Sequence, residues 1–260
     1  MPNHPPLAPP ARRGRRWWLA GLLLTASAWA GAAELTVSAA ASLGNAFREL
    51  APVFEAAHPG HRLRLNFAAS GQLLQQIAQG APVDVLASAD QATMDQAQAR
   101  QLVVAAERRD FAANRLVLVV PAQAKAVPAT LKDLTLPAYS RVAIGLPASV
   151  PVGRYTQQVL EAEGLWAAVS AKMIGAQNVR QALDYVARGE VDAGFVYATD
   201  ARALPDQVRV AFPVPTARPV LYPAAPVAAS AQPALARQFV QFLRTPAAQQ
   251  VLAKHGFGRP

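Results

Sequence analysis

The sequence predicts an α/β protein of two similar lobes, each a mainly parallel sheet flanked by helices. Three observations carry this. Beyond the first 33 residues, short apolar runs alternate with amphipathic helical runs, the order that builds parallel sheets covered on both faces. The alternation comes as two series, one from 35 to about 101 and one from 141 to 197. Two extended runs, 115–120 and 220–227, stand where one series gives way to the other, so they read as the crossings between lobes. The first lobe is then discontinuous, 34–113 with 214–260, and the second lobe is 114–213.

The opening 33 residues are set apart from this pattern. A Pro- and Arg-rich start closes with Arg12, Arg13, Arg15 and Arg16, an apolar stretch runs from Trp17 to about Ala30, and Ala28-Trp29-Ala30 fits a small-x-small cleavage site. This is the three-part pattern of a secretory signal peptide, with cleavage expected after Ala30 or Ala33, and its apolar part is short for a membrane span. The rest is expected to be exported. No cysteine occurs anywhere, which excludes disulfides, thiolate metal sites, a cysteine nucleophile and an acylated N-terminal cysteine.

The whole chain has 25 Lys and Arg against 16 Asp and Glu. Four of the arginines precede Glu34 and no acid does, so the remainder carries 21 against 16, a formal +5. Its charges are scattered and form no basic stripe, so no nucleic-acid partner is expected.

In order, the first series predicts a strand at 35–41, a helix from about 42 to 57 with Phe47, Leu50, Ala51 and Phe54 at helical spacing, and a stop at Pro59-Gly60. A strand at 63–68, a helix at 72–79 and a buried strand at 83–87 follow. Ser88 or Asp90 is placed to cap the Gln/Ala-rich helix that ends near 101. The second series predicts strand 141–146, helix 152–163, a short helix 165–171, strand 173–176, helix 179–188 and strand 193–197. A strand at 208–212 and two C-terminal helices, 233–243 and 246–255, complete the chain.

Four of these strands end in tight turns of small residues that open a helix: Ser42-Leu43-Gly44-Asn45, Ala69-Ser70-Gly71, Val150-Pro151-Val152-Gly153 and Asn178-Val179. Helix N-termini present unpaired N–H donors and a partial positive charge, which suits an anion. Ligands of open α/β sheets sit beyond the carboxyl ends of the strands, which brings all four turns to one cleft. Ser42 and Ser70 would contribute hydroxyls and N–H groups, although each also fits an ordinary N-cap. Val152 and Val179 can serve only through N–H. Tyr197 ends a buried strand with its hydroxyl as the polar handle. Arg154 and Arg180, in first helical turns, are expected to face solvent or pair with acids.

Enzyme motifs are missing. His4, His58, His61 and His255 have no zinc-ligand spacing, and there is no G-x-S-x-G elbow, Walker A loop or G-x-G-x-x-G. The turns also contain no Asp or Glu, which counts against a protonated phosphate.

At these residues the chain resembles the molybdate-binding proteins of ABC importers. Ala39-Ala40-Ala41-Ser42-Leu43, Ala81-Pro82-Val83-Asp84-Val85, Ser88-Ala89-Asp90, Val150-Pro151-Val152-Gly153, Asn178-Val179-Arg180, Val196-Tyr197 and His255-Gly256-Phe257 follow the order of that family. The resemblance spans 34–260. It implies a two-lobed type II periplasmic binding protein that grips a tetrahedral dianion in the interlobe cleft, with no cofactor and no direct metal ligand. It implies binding by Ser42 and Ser70 through hydroxyl and N–H, by Val152 and Val179 through N–H, and by Tyr197 through its hydroxyl. The ligand would be molybdate and also tungstate, with sulfate as the alternative oxyanion. The partner would be the membrane permease of an importer, the location the periplasm and the state a monomer. Three positions depart from the common pattern: Gly71 follows Ser70 where many members have a second serine, Val152 stands where alanine is common, and Ala198-Thr199 follows Tyr197.

Overall fold

A computed structural model describes residues 1–4 and 33–260. The signal-peptide reading therefore lies outside the described residues, except that Ala33 already opens the first strand.

Two five-stranded sheets organise the chain. The first contains β1 (Ala33–Ala40), β2 (His61–Ala68), β3 (Val85–Ala87), β4 (Arg109–Asn114) and β10 (Val220–Pro226), in the order β2-β1-β3-β10-β4. The second contains β5 (Leu116–Pro121), β6 (Val142–Gly145), β7 (Met173–Ala176), β8 (Ala193–Tyr197) and β9 (Val208–Val214), in the order β7-β6-β8-β5-β9. The α/β class and the two-lobed plan hold. The sheets are mixed, however: β1 pairs in parallel with β2 and β3, and β6 with β7 and β8, while β10 and β5 run antiparallel to both their neighbours. The antiparallel ladders belong to the strands that carry the chain between sheets and so run against the α/β series. The crossings are short. Only Arg115 separates β4 from β5, and residues 215–219 separate β9 from β10.

The helices follow the expected apolar periodicity. In α1 (Gly44–Ala57), Phe47, Leu50 and Phe54 are buried, and Phe47 and Phe54 meet Phe239 of α8 (Pro233–Phe242) at ring-centroid distances of 5.9 and 5.2 Å. These edge-on contacts add to the apolar burial that fixes both helices on the first sheet. A smaller cluster of Leu73, Leu74, Ile77, Leu86 and Met94 seats α2 (Ser70–Ala78) and α3 (Gln91–Ala99) on that sheet. In the second lobe α4 (Pro151–Ala162), α5 (Trp166–Ser170) and α6 (Val179–Ala187) flank the sheet. Beyond them lie α7 (Ala198–Ala203) and, at the C-terminus, α9 (Pro246–Lys254). Strand β4 and helix α7 add to the elements expected from the sequence, where Arg109-Asp110 and Asp200-Ala201-Arg202 give those stretches a polar, aperiodic look.

Candidate functional site: a donor-lined cleft

Strand register assembles the site. Parallel pairing of Ala40 with Ala68 sets the turns after β1 and β2 side by side. Pairing of Gly145 with Ala176 does the same for the turns after β6 and β7. The four turns and the end of β8 converge on one small, partly open cavity between the lobes, and Ser42, Ser70, Val152, Val179 and Tyr197 all line it. All five are nearly fully buried. Alanines fill much of the remaining wall (Ala40, Ala41, Ala68, Ala69 and Ala89), leaving the backbone open to close approach.

Neither serine is a simple cap. Ser42 sits in the middle of a 3-10 turn, Ala41–Leu43, and Ser70 is the first residue of α2, with Ala40 and Ala69 in the cap positions. Their hydroxyls are therefore not spent on their own helices. Ser70 Oγ accepts the Ala89 N–H at 3.0 Å, and Ser42 Oγ lies 3.0 Å from the Tyr222 hydroxyl. The cap of α3 is Asp90, whose Oδ1 accepts the Thr93 N–H.

The second lobe contributes two helix starts. Pro151 opens α4 and has no N–H, so Val152 is its first donor. Asn178 caps α6 by accepting the N–H groups of Arg180 and Gln181, which leaves the Val179 N–H to the cavity. None of the N–H groups of Ser42, Ser70, Val152 and Val179 meets a backbone acceptor among the described residues. Gly153 lets α4 close onto β6: a Cβ there would lie 1.8 Å from the Gly145 carbonyl oxygen.

The cavity wall carries no ionised side chain. Tyr197 is kept neutral, because burial pushes its phenol well above its ordinary range. Its hydroxyl is 3.5 Å from the Ala89 carbonyl. The two first-turn arginines are neutralised as they stand. Arg154 meets Asp90 at 2.7 Å, and Arg180 meets Asp200 at 2.8 Å. The helix termini thus keep their partial positive charge without a bare cation beside the cavity. Asp200 is fully buried and accepts the Tyr197 N–H at 3.2 Å. Burial raises its carboxyl to about 6, against the pull of Arg180.

Such a wall offers donors and almost nothing else: N–H groups at helix ends, two serine hydroxyls and one phenol. Among the described residues there is also no cluster of His, Cys, Asp and Glu able to hold a metal ion. The family of bacterial extracellular solute-binding proteins matches residues 35–258. The chain belongs to that family. Within it, the molybdate-binding protein ModA of Mycobacterium tuberculosis is 36% identical over 231 residues, covering 88% of this chain and 86% of the relative. The solved periplasmic molybdate-binding protein of Azotobacter vinelandii superposes with a TM-score of 0.75 at 26% identity, covering 87% of this chain and 99% of that one. The sulfate-binding protein SubI of Mycobacterium tuberculosis shares the fold, with a TM-score of 0.74 at 20% identity and 87% coverage of each chain. This solute-binding protein therefore has the two-lobed type II periplasmic binding fold.

Sequence reasoning missed the partners of the site's hydroxyls. Ala89 follows a short strand with no side-chain signal. Tyr222 reads as one aromatic in an apolar strand, and Asn114 as a loop polar residue. Their roles depend on pairings across more than 100 residues.

Proposed function

We propose that this solute-binding protein is the periplasmic receptor of a molybdate importer of the ABC type, and that tungstate is its second ligand. The observation that carries the reading is the convergence of Ser42, Ser70, Val152, Val179 and Tyr197 on one cavity whose polar groups are almost all donors. A donor-only wall suits an anion with no proton of its own. A protonated phosphate would need an acceptor carboxylate, and none lines the cavity. Molybdate, tungstate and sulfate at neutral pH all meet this condition. Relatives named for molybdate support the first, and tungstate follows it as an ion of nearly the same size and charge.

The closing bodies are the lobes expected at 34–113 with 214–260 and at 114–213, with Asn114 moved to the first sheet and Val214 to the second, turning about the crossings at Arg115 and 215–219. The anion is cargo: the protein performs no chemistry on it, holds no cofactor, and delivers it as a monomer to a membrane permease. The chain reaches the periplasm through its cleaved N-terminal signal.

Selectivity rests on size. Fixed N–H groups on two rigid lobes cannot all follow the smaller sulfate inward. Each donor left without its acceptor costs about 1–3 kcal/mol, so two such losses give a preference of about thirtyfold or more. Titration calorimetry with the three sodium salts at one ionic strength tests this. Tight molybdate and tungstate with weak sulfate is the expected result. Sulfate binding as tightly as molybdate would leave only a general oxyanion receptor.

A further inference from the structure

We propose that Asn114 and Tyr222, neither of which lines the cavity, form a one-way hydrogen-bond relay that turns the Ser42 hydroxyl proton toward the bound anion. The proposal rests on the reading of the cavity as an oxyanion site and adds two positioning residues to it.

The direction of the relay follows from a backbone group that can only donate. The Arg115 N–H lies 2.9 Å from Asn114 Oδ1, so the oxygen of that amide is committed and its nitrogen is the other end. That nitrogen is 2.9 Å from Thr199 Oγ1 and 3.1 Å from the Tyr222 hydroxyl, one neighbour for each of its two protons. Tyr222 oxygen therefore accepts. Its own proton has Ser42 Oγ, 3.0 Å away, as its neighbour. Tyr222 is fully buried, and burial holds its phenol protonated. Ser42 in turn accepts, and its proton is left for the cavity that it lines.

Each donation polarises the next hydroxyl, so the last one meets the anion as a stronger donor. Ser70 reaches the same state by a shorter route, since its Oγ accepts the Ala89 N–H, which cannot reverse. The Ser42 relay is reversible in principle, because every link after Asn114 is a hydroxyl. Asn114 supplies the direction. It ends β4 beside Arg115, so the relay is anchored at the crossing between lobes.

Titration calorimetry with sodium molybdate on the purified secreted chain provides the test. Asn114→Ala and Tyr222→Phe should each weaken binding about two- to tenfold when Ser42 is present. Both should leave the affinity of Ser42→Ala unchanged. Asn114→Asp is the sharper probe. A carboxylate draws the Tyr222 proton toward itself, Ser42 then donates backward, and its lone pairs face the anion. In that background Ser42→Ala should cost nothing or improve binding. Asn114 is only half-buried, so its variants keep the test open if Tyr222→Phe does not fold. Equal losses with and without Ser42 would overturn the relay and leave the oxyanion site standing. Wild-type molybdate affinity in Ser42→Ala would remove Ser42 from the site, and the relay would fall with that reading.

Discussion

Arg154 crosses the cleft from α4 and sets its Nε and Nη2 2.8 and 2.7 Å from Oδ2 of Asp90 in the first lobe. The same guanidinium donates to Thr93 Oγ1 at 2.7 Å. A two-lobed binding protein whose lobes part to admit a ligand would make these bonds only with the lobes together. The contact is therefore placed to act as a clasp on a closed state. Asp90 is nearly buried and Arg154 is one-fifth exposed, so solvent screens the pair only in part. Removing the arginine leaves a carboxylate facing the cleft without its partner.

Arg154→Ala is therefore expected to weaken molybdate by roughly ten- to a hundredfold, about 1–3 kcal/mol. The change should fall mainly on the dissociation rate, as for truncation of a buried charged pair. Stopped-flow release of molybdate checks it. An unchanged dissociation rate would show that the clasp contributes nothing to closure.

A pair of glycines separates closure from folding. A Cβ on Gly71 would lie 2.6 Å from the Ser149 carbonyl oxygen of the other lobe, the same atom that accepts the Gly71 N–H at 3.0 Å. A Cβ on Gly153 would strike Gly145 within its own lobe. Gly71→Ala should hold the lobes apart, costing more than tenfold in affinity while the unliganded melting temperature stays within about 2 °C of wild type. Gly153→Ala should lower that temperature by roughly 2–10 °C, the effect of about 1–3 kcal/mol of overpacking in a chain of this size. Differential scanning calorimetry and molybdate titration on both variants distinguish the two. If Gly71→Ala bound normally, the interlobe contact would have to be dispensable.

Much of this arrangement is legible in the sequence because it depends on local chemistry. Small residues after strands, Pro at a helix start and Asn at a cap position identify the donor turns one by one. The open-sheet rule then brings them together, and Ser42, Ser70, Val152, Val179 and Tyr197 do meet at one cavity. Partners on other elements are less legible. Arg154 and Arg180 could be expected to pair with acids, but which acids depends on lobe closure in one case and on the helix after β8 in the other. The role of serine as a cap also misleads: Ser42 and Ser70 lie inside their first turns, and tertiary contacts occupy their oxygens.

Ser70 gives a direct measure of the anion's hold. Its oxygen already accepts the Ala89 N–H, so its proton is free for the ligand. Ser70→Ala removes a hydrogen bond to a charged group, worth about 1.5–3 kcal/mol, and should weaken molybdate about ten- to a hundredfold. Tyr197→Phe should cost the same or less. Calorimetry showing wild-type affinity in both variants would exclude them from the site.

Asp200 should give the protein a distinctive pH response. Its carboxyl is raised from an ordinary value of 3.8 to about 6 by burial, so between those values the folded state binds more protons than the unfolded state. Stability from this group is full below about pH 4 and is lost as pH rises through about 6. Glu49 and Asp133 pull the other way, because hydrogen bonds lower both carboxyls and their stabilisation is lost on acidification. The total curve mixes these effects, but a comparison with Asp200→Asn isolates one. The asparagine keeps an acceptor for the Tyr197 N–H and titrates nowhere in the range. Wild type minus variant, measured as melting temperature without ligand, should fall as pH rises from 4 to 7 and flatten above that. Arg180 is a quarter exposed, so water can solvate it in the variant and the offset between the two curves should stay modest. A difference that rises with pH would mean that the Arg180 ion pair outweighs burial and that Asp200 stays charged throughout.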